Sequence, residues 1–283
     1  MGLPAKAAGL VRLGHPFPSL LDGIVTAGLA RVAGADWSRA VLLGLAMVSL
    51  QVSIGALNDL VDVKRDRGRK PGKPIPAGLV GRGTAIAVVV AGLIVGLAAS
   101  AVAGPAVLVV AIVGTGVGWA YDLRLKTTAW AWLPFALGLP LVPVFAWVGT
   151  TGRVPPALGL LVPLGIVAGA GAALLNGLAD IDRDRTAGVA TPAVRLGARR
   201  ARWVSAGLLG LAGAGAAASL VAVGAQGWAW IATAAGLALV VAGLVLAGSS
   251  SGARREIGWE ASAIGLGLVA VGWVIGFAGR GLL

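Results

Sequence analysis

Two stretches of this chain set carboxylates at helical spacing just where apolar segments end. "LNDLVDVKRDR" (residues 57–67) and "LNGLADIDRDR" (residues 175–185) share seven of their eleven residues. In the first, Asn58, Asp62 and Asp66 fall at i, i+4 and i+8; in the second, Asn176, Asp180 and Asp184 do the same. On a continuing helix that spacing puts three oxygen-bearing side chains on one face. Carboxylates along one face repel, and ionisable groups at a membrane boundary usually face a cavity where they find partners. A divalent cation is the natural partner. Carboxylates and an Asn carbonyl, with no soft atom among them, suit Mg2+, which keeps several waters and is commonly shared with substrate phosphates. Basic side chains beside the acids would take the remaining charge of a diphosphate, and Arg67, Lys73, Lys126 and Arg185 are the candidates. A single stretch of this kind would be explained as well by a solvated helix end, whose Asp–Arg surface pairs are each worth under about 1 kcal/mol. Two matching stretches, 118 residues apart, weigh against that.

The elements that must carry these residues are apolar. The 283 residues are 58% hydrophobic and 12% charged, with a mean hydropathy of +0.91, whereas soluble domains carry roughly 25% charged residues. Crossing a bilayer core takes about 20 apolar residues per helix. Nine segments qualify, near 17–35, 39–60, 83–102, 104–121, 129–149, 157–179, 200–223, 226–248 and 258–279. The 46 glycines would weaken soluble helices, but in lipid they let packed backbones approach closely. A helical membrane bundle of one domain, residues 1–283, is the expectation. Zero cysteines and a single histidine, His15, exclude disulfides, thiolate chemistry and a histidine-rich metal centre. Asp22 interrupts the first apolar segment, which argues against a cleaved signal peptide, and "MGLPAK" lacks the Ser or Thr of a myristoylation site.

A net charge of +12 invites a nucleic-acid reading, but the cations lie where topology wants them. With the N-terminus cytoplasmic, nineteen of the 23 Lys and Arg residues fall on that side, leaving Arg31, Arg39, Arg153 and Arg280 outside. The positive-inside rule then gives nine spans with the N-terminus in and the C-terminus out. Most of these cations are accounted for by orientation and contact with anionic lipid headgroups. The basic loops hold no interleaved aromatic platform for single strands, so no nucleic-acid partner is expected. Asp59, Asp62, Asp66, Asp122, Asp180, Asp182 and Asp184 all lie on the cytoplasmic side too, although acids contribute little to topology. A diphosphate held at the membrane face of an apolar helix bundle suggests a substrate with a long apolar tail, as in an isoprenyl diphosphate.

Here the sequence resembles the UbiA-type intramembrane prenyltransferases. "NDLVDVKRD" (58–66) is similar to their NDxxDxxxD signature and "DIDRD" (180–184) to their second motif, DxxxD. "KPGKPIPAG" (70–78), "YDLRLK" (121–126) and "GVATPAVRLG" (188–197) resemble the segments after motif one, between the motifs and after motif two. The resemblance runs over essentially the whole chain. It implies an all-helical fold of nine transmembrane helices around a central cavity, capped by short cytoplasmic helices, with two related halves carrying one motif each. It also implies Mg2+-dependent transfer of a prenyl group from its diphosphate to an acceptor. Carried across by position, Asn58, Asp62 and Asp66 would hold one Mg2+, and Asp180 and Asp184 the other, with Asn176 assisting. Asp59 belongs to the motif but turns away from the Asn58 face.

Ionisation of an allylic diphosphate leaves a cation that must be kept from water and that π-faces can stabilise. Tyr121, the one tyrosine, near Trp119 is the candidate for this, with interfacial anchoring the simpler alternative. In "VRLGHPFPSLLD" (11–22), Arg12, His15 and Asp22 could help place the acceptor, but they read more simply as the start of the first helix. Two rival activities stand beside prenyl transfer. Ten Trp, four Phe and one Tyr are few for a terpene cyclase of the same fold. An ion-coupled transporter is disfavoured because the acids sit at one face and the opposite loops "AVAGP" and "GAQG" carry no charge. "KPGKPIPAG" looks closer to relatives acting on glycerol-phosphate lipids, chlorins or homogentisate. The expected acceptor is lipophilic and, as most often in the family, an aromatic quinone precursor. The expected location is a bacterial cell membrane, with the active site cytoplasmic.

Overall fold

The computed structural model describes residues 3–67 and 72–283. Arg69, Lys70 and Pro71, which the sequence places among the basic residues and at the head of "KPGKPIPAG", lie outside the described residues, as do the first two of "MGLPAK". Every described regular element is helical: α1 (Leu3–Leu13), α2 (Pro16–Val32), α3 (Trp37–Asp66), α4 (Arg82–Ala103), α5 (Pro105–Ala120), α6 (Leu133–Thr151), α7 (Leu158–Thr186), α8 (Pro192–Leu196), α9 (Ala198–Ala222), α10 (Trp228–Leu246) and α11 (Gly252–Ala278). A π-helical turn, Tyr121–Leu125, continues α5. Eight of these helices are long and apolar enough to cross a membrane: α3, α4, α5 with its π turn, α6, α7, α9, α10 and α11. The protein is thus an all-helical membrane protein with eight candidate spans. The segment expected at 17–35 is occupied by α2, whose 17 residues rise about 26 Å against a hydrocarbon core of about 30 Å.

The start of the chain departs from expectation. Arg12, His15 and Asp22 do not open one helix: Arg12 lies in the last turn of α1, Asp22 in the second turn of α2, and His15 between them has a left-handed backbone, φ 48°. Pro16 is the local reason, because a proline disfavours the α conformation in the residue before it and itself suits the first turn of a helix.

The chain divides into two compact units, Met1–Arg124 with Phe145–Gly152, and Leu125–Val144 with Arg153–Leu283. In the first, α3 packs along α2 and α4. Glycine makes the α3–α4 approach possible: a Cβ on Gly92 would stand 2.7 Å from the Ser49 carbonyl oxygen. Ser53 donates across the same seam to the Val89 carbonyl at 2.8 Å. In the second unit α10 pairs with α11 and α7 with α9. A Cβ on Gly265 would meet the Gly236 carbonyl at 2.5 Å, and Ser205 donates to the Gly171 carbonyl at 2.8 Å. Small residues and short polar side chains are what pack helices where lipid removes the usual hydrophobic drive.

Three of the four arginines left on the outer side by charge counting close helix ends. Arg39 donates through Nε to the Gly149 carbonyl at 2.7 Å and through a second nitrogen to Ala103, so it covers the last turns of α6 and α4. Arg31 donates to the Ala35 carbonyl and Arg280 to Gly224, just past α9. The two carbonyls that Arg39 reaches are last-turn groups without an intrahelical partner, and a cation also suits their partial charge. Asp36 caps α3 by accepting from the Arg39 amide at 2.7 Å. That bond, with one from Ser38, holds its carboxyl below the usual aspartate range. The cap's contribution is therefore complete above the ordinary carboxylate pKa and lost as pH falls through the lowered one.

Candidate functional site

In the first unit α3 runs unbroken from Trp37 to Asp66, so Asn58, Asp62 and Asp66 share a face as their spacing requires. The helix ends at Arg67, whose backbone has left the helical region and whose side chain is exposed. Asp59, Asp62 and Asp66 are only 2%, 5% and 3% exposed, while Asn58 is half-buried. Asp62 accepts from Arg65 at 2.9 Å, one turn on along α3. Asn58 donates to Asp122 at 2.6 Å. Asp122 sits in the π turn, so the turn at "YDLRLK" sets a fourth buried carboxylate beside motif one. Tyr121 starts this turn, half-buried.

Asp59 does turn off the Asn58 face, and it has its own partners. The His15 ring stands 2.8 Å from Asp59 Oδ1 through Nε2, and the Lys73 ammonium donates to the same oxygen. Lys73 Nζ also lies 3.1 Å from His15 Nε2. In the second unit Lys126 is buried, and α7 likewise continues helically to Thr186, placing Asn176, Asp180 and Asp184 on one face. Asp180 pairs with Arg183 one turn away. Asp184 is buried and accepts a long hydrogen bond, 3.5 Å, from Thr191 in the segment leading to α8. Arg185 is exposed. Asp182 points off the motif face and pairs with Arg255, a buried cation on α11 that also donates to the Ser249 and Ser250 carbonyls at 3.2 Å.

Spacing therefore anticipated which side chains share a face of α3 and of α7, but not several of their neighbours. Asp122 carried a signal, as an acid at the end of an apolar segment. His15 carried a weaker one, as the single histidine. Arg255, 73 residues from Asp182, carried none.

Among the described residues no three His, Asp or Glu side chains form a cluster that would enclose a metal ion by themselves. The donors in each motif are nevertheless all oxygen, on one helix face, with Asp62, Asp66 and Asp184 buried. This suits a hard cation whose remaining positions are filled by water and substrate phosphate rather than by the protein.

The chain as a whole matches known proteins. Residues 20–256 match the UbiA prenyltransferase family, and the chain belongs to that family. Among curated proteins it is 29% identical over 180 residues to a chlorophyll synthase of Avena sativa, covering 59% of this chain and 47% of that protein. It is also 29% identical over 199 residues to the digeranylgeranylglyceryl phosphate synthase of Methanoregula boonei, covering 68% and 70% of the two chains. The match thus spans about half the length of the chlorophyll synthase. Among solved structures, the apo UbiA homolog from Aeropyrum pernix K1 aligns over 95% of this chain and 98% of its own, with TM-score 0.74 and 23% identity. A UbiA homolog from Archaeoglobus fulgidus, bound to GPP and Mg2+, aligns over 94% and 99% with TM-score 0.66 and 19% identity. The fold is the UbiA fold.

Proposed function

We propose that this protein transfers an isoprenyl group from its diphosphate to a lipophilic acceptor, releasing pyrophosphate. The observation that carries the reading is the continuation of α3 and α7 as unbroken helices through matching sets of acids, in a chain of this family. Asn58, Asp62 and Asp66, and Asn176, Asp180 and Asp184, are the residues we assign to Mg2+, the metal bound with a prenyl diphosphate in the Archaeoglobus homolog. When bound, Mg2+ supplies Lewis-acid neutralisation of the charge that builds on the departing pyrophosphate. We assign Arg67, Lys73, Lys126 and Arg185 to the binding of diphosphate charge. Tyr121 offers its π-face to the allylic cation left after ionisation. The surrounding apolar helices keep water away from that cation.

The acceptor is lipophilic, and we assign it to the aromatic class of quinone precursors. Relatives named for chlorophyll and digeranylgeranylglyceryl phosphate synthesis support a lipophilic acceptor. We place the chain in a bacterial cell membrane as a single domain with nine spans, α2 being the ninth, and with its N-terminus and both motifs cytoplasmic. The distribution of Lys and Arg supports that orientation. The test is incubation of purified protein with geranylgeranyl diphosphate, Mg2+ and a panel of lipophilic acceptors. Pyrophosphate and a prenylated acceptor should form together, and EDTA should abolish both. Full turnover in EDTA would remove the metal assignment, and pyrophosphate released with a cyclic terpene would make the protein a cyclase.

A further inference from the structure

We infer that Asp59 and His15 are positioning residues for donor binding, acting through Lys73, whose ammonium they hold with one N–H left for a phosphate oxygen. The inference rests on the reading that a prenyl diphosphate is the donor. Three separate parts of the first unit converge on Asp59: the α1–α2 joint through His15, motif one itself, and the segment after it through Lys73. An ammonium has three donors. Asp59 Oδ1 takes one, and His15 Nε2 lies beside a second at 3.1 Å. A single ring nitrogen cannot donate to Asp59 and accept from Lys73 at once, so at least one N–H of Lys73 remains for another acceptor. The Lys73 side chain is 19% exposed, which leaves it reachable.

The trio is not required to hold the chain together there. Leu79 and Ile75 of the segment after motif one pack against an apolar cluster that includes Leu13, Ala56, Val80 and Val89. Buried charges placed on top of such a contact add desolvation cost and little net stability. The backbone is shaped for the trio nonetheless. His15 is the one non-glycine among the described residues with positive φ, a conformation that persists only where the surroundings over-determine it. Its ring lies against Gly55, where a Cβ would stand 3.0 Å from the ring Cγ and 3.1 Å from Cδ2. Gly55 is one helical turn before Asp59, so α3 leaves room for the ring at the level where it meets the carboxylate.

The experiment measures binding of geranyl diphosphate with Mg2+ to purified full-length protein by calorimetry, together with the unliganded thermal midpoint. The variants are Lys73→Met, Asp59→Asn, His15→Asn and the Asp59→Asn/Lys73→Met pair. Asn at position 15 tolerates the left-handed backbone but cannot reach as the imidazole does. Each single variant should bind about tenfold more weakly, as for loss or misplacement of one charge-assisted contact. The pair should bind no more weakly than Lys73→Met alone, and its unliganded midpoint should match wild type because both buried charges go together, whereas a single variant leaves one of them unpaired. Independent, multiplying losses would overturn the inference, as would a Lys73→Met loss with no Asp59→Asn loss. Lowered midpoints with unchanged affinity would make the trio purely structural. Failure of the wild-type protein to bind geranyl diphosphate with Mg2+ at all would instead sink the donor reading, and this inference with it.

Discussion

Asp182 lies between two aspartates of motif two, yet its 64% exposed side chain answers to Arg255 of α11 rather than to the Asp180 and Asp184 face. Asp182→Ala should therefore leave prenyl transfer per folded molecule within about threefold of wild type, an effect under about 1 kcal/mol. It should lower the thermal midpoint by a few degrees, because Arg255 is left buried without its carboxylate. Thermal unfolding in detergent beside a transfer assay separates the two, and loss of activity at unchanged stability would move Asp182 into the site. The example marks what single residues disclose in advance. That Asp182 lies off the Asn176 face follows from helical period alone. That it restrains Arg255, or that Asp59 meets a histidine 44 residues away, depends on contacts between helices that no local pattern encodes.

Helices α3 and α7 are longer than their apolar runs, extending to Asp66 and Thr186 where hydropathy alone stops near 60 and 179. The period of the acids was the better guide to where these helices end, because it persists after hydrophobicity has gone. Other elements left weaker traces. The π turn at Tyr121–Leu125 has no sequence signature, and the left-handed backbone of His15 between α1 and α2 is not specified by Pro16 alone, which explains only the break in the helix. The arginine caps were visible only as exceptions to charge asymmetry, since Arg39 reaches carbonyls 64 and 110 residues away. Arg39→Ala should cost about 1–3 kcal/mol by removing charge-assisted bonds to two helix ends. Arg39→Lys should recover only part of it, since an ammonium lacks the planar fork that serves two carbonyls. Chemical denaturation in mild detergent reads this out. An unchanged midpoint for Arg39→Ala would mean that water satisfies those carbonyls equally well.

For the molecule as a whole, composition pointed to an all-helical membrane protein, and eight helices are long and apolar enough to cross a bilayer. The count of spans was less secure because α2 is short for a bilayer crossing. The central claim is that each of the two sets of acids is indispensable to the one transfer reaction, and it is a claim about coupling between residues. Removing a ligand from either set should disable that reaction, and residues that act together in one reaction are strongly non-additive. The most direct measurement is transfer from a radiolabelled isoprenyl diphosphate, in membranes at matched expression, for Asp62→Ala, Asp180→Ala and the double variant. Each single variant should lose about 100-fold or more, with the double scarcely lower, by analogy with other catalytic groups that act together. Near-normal transfer in either single variant, or losses that multiply in the double, would contradict the claim.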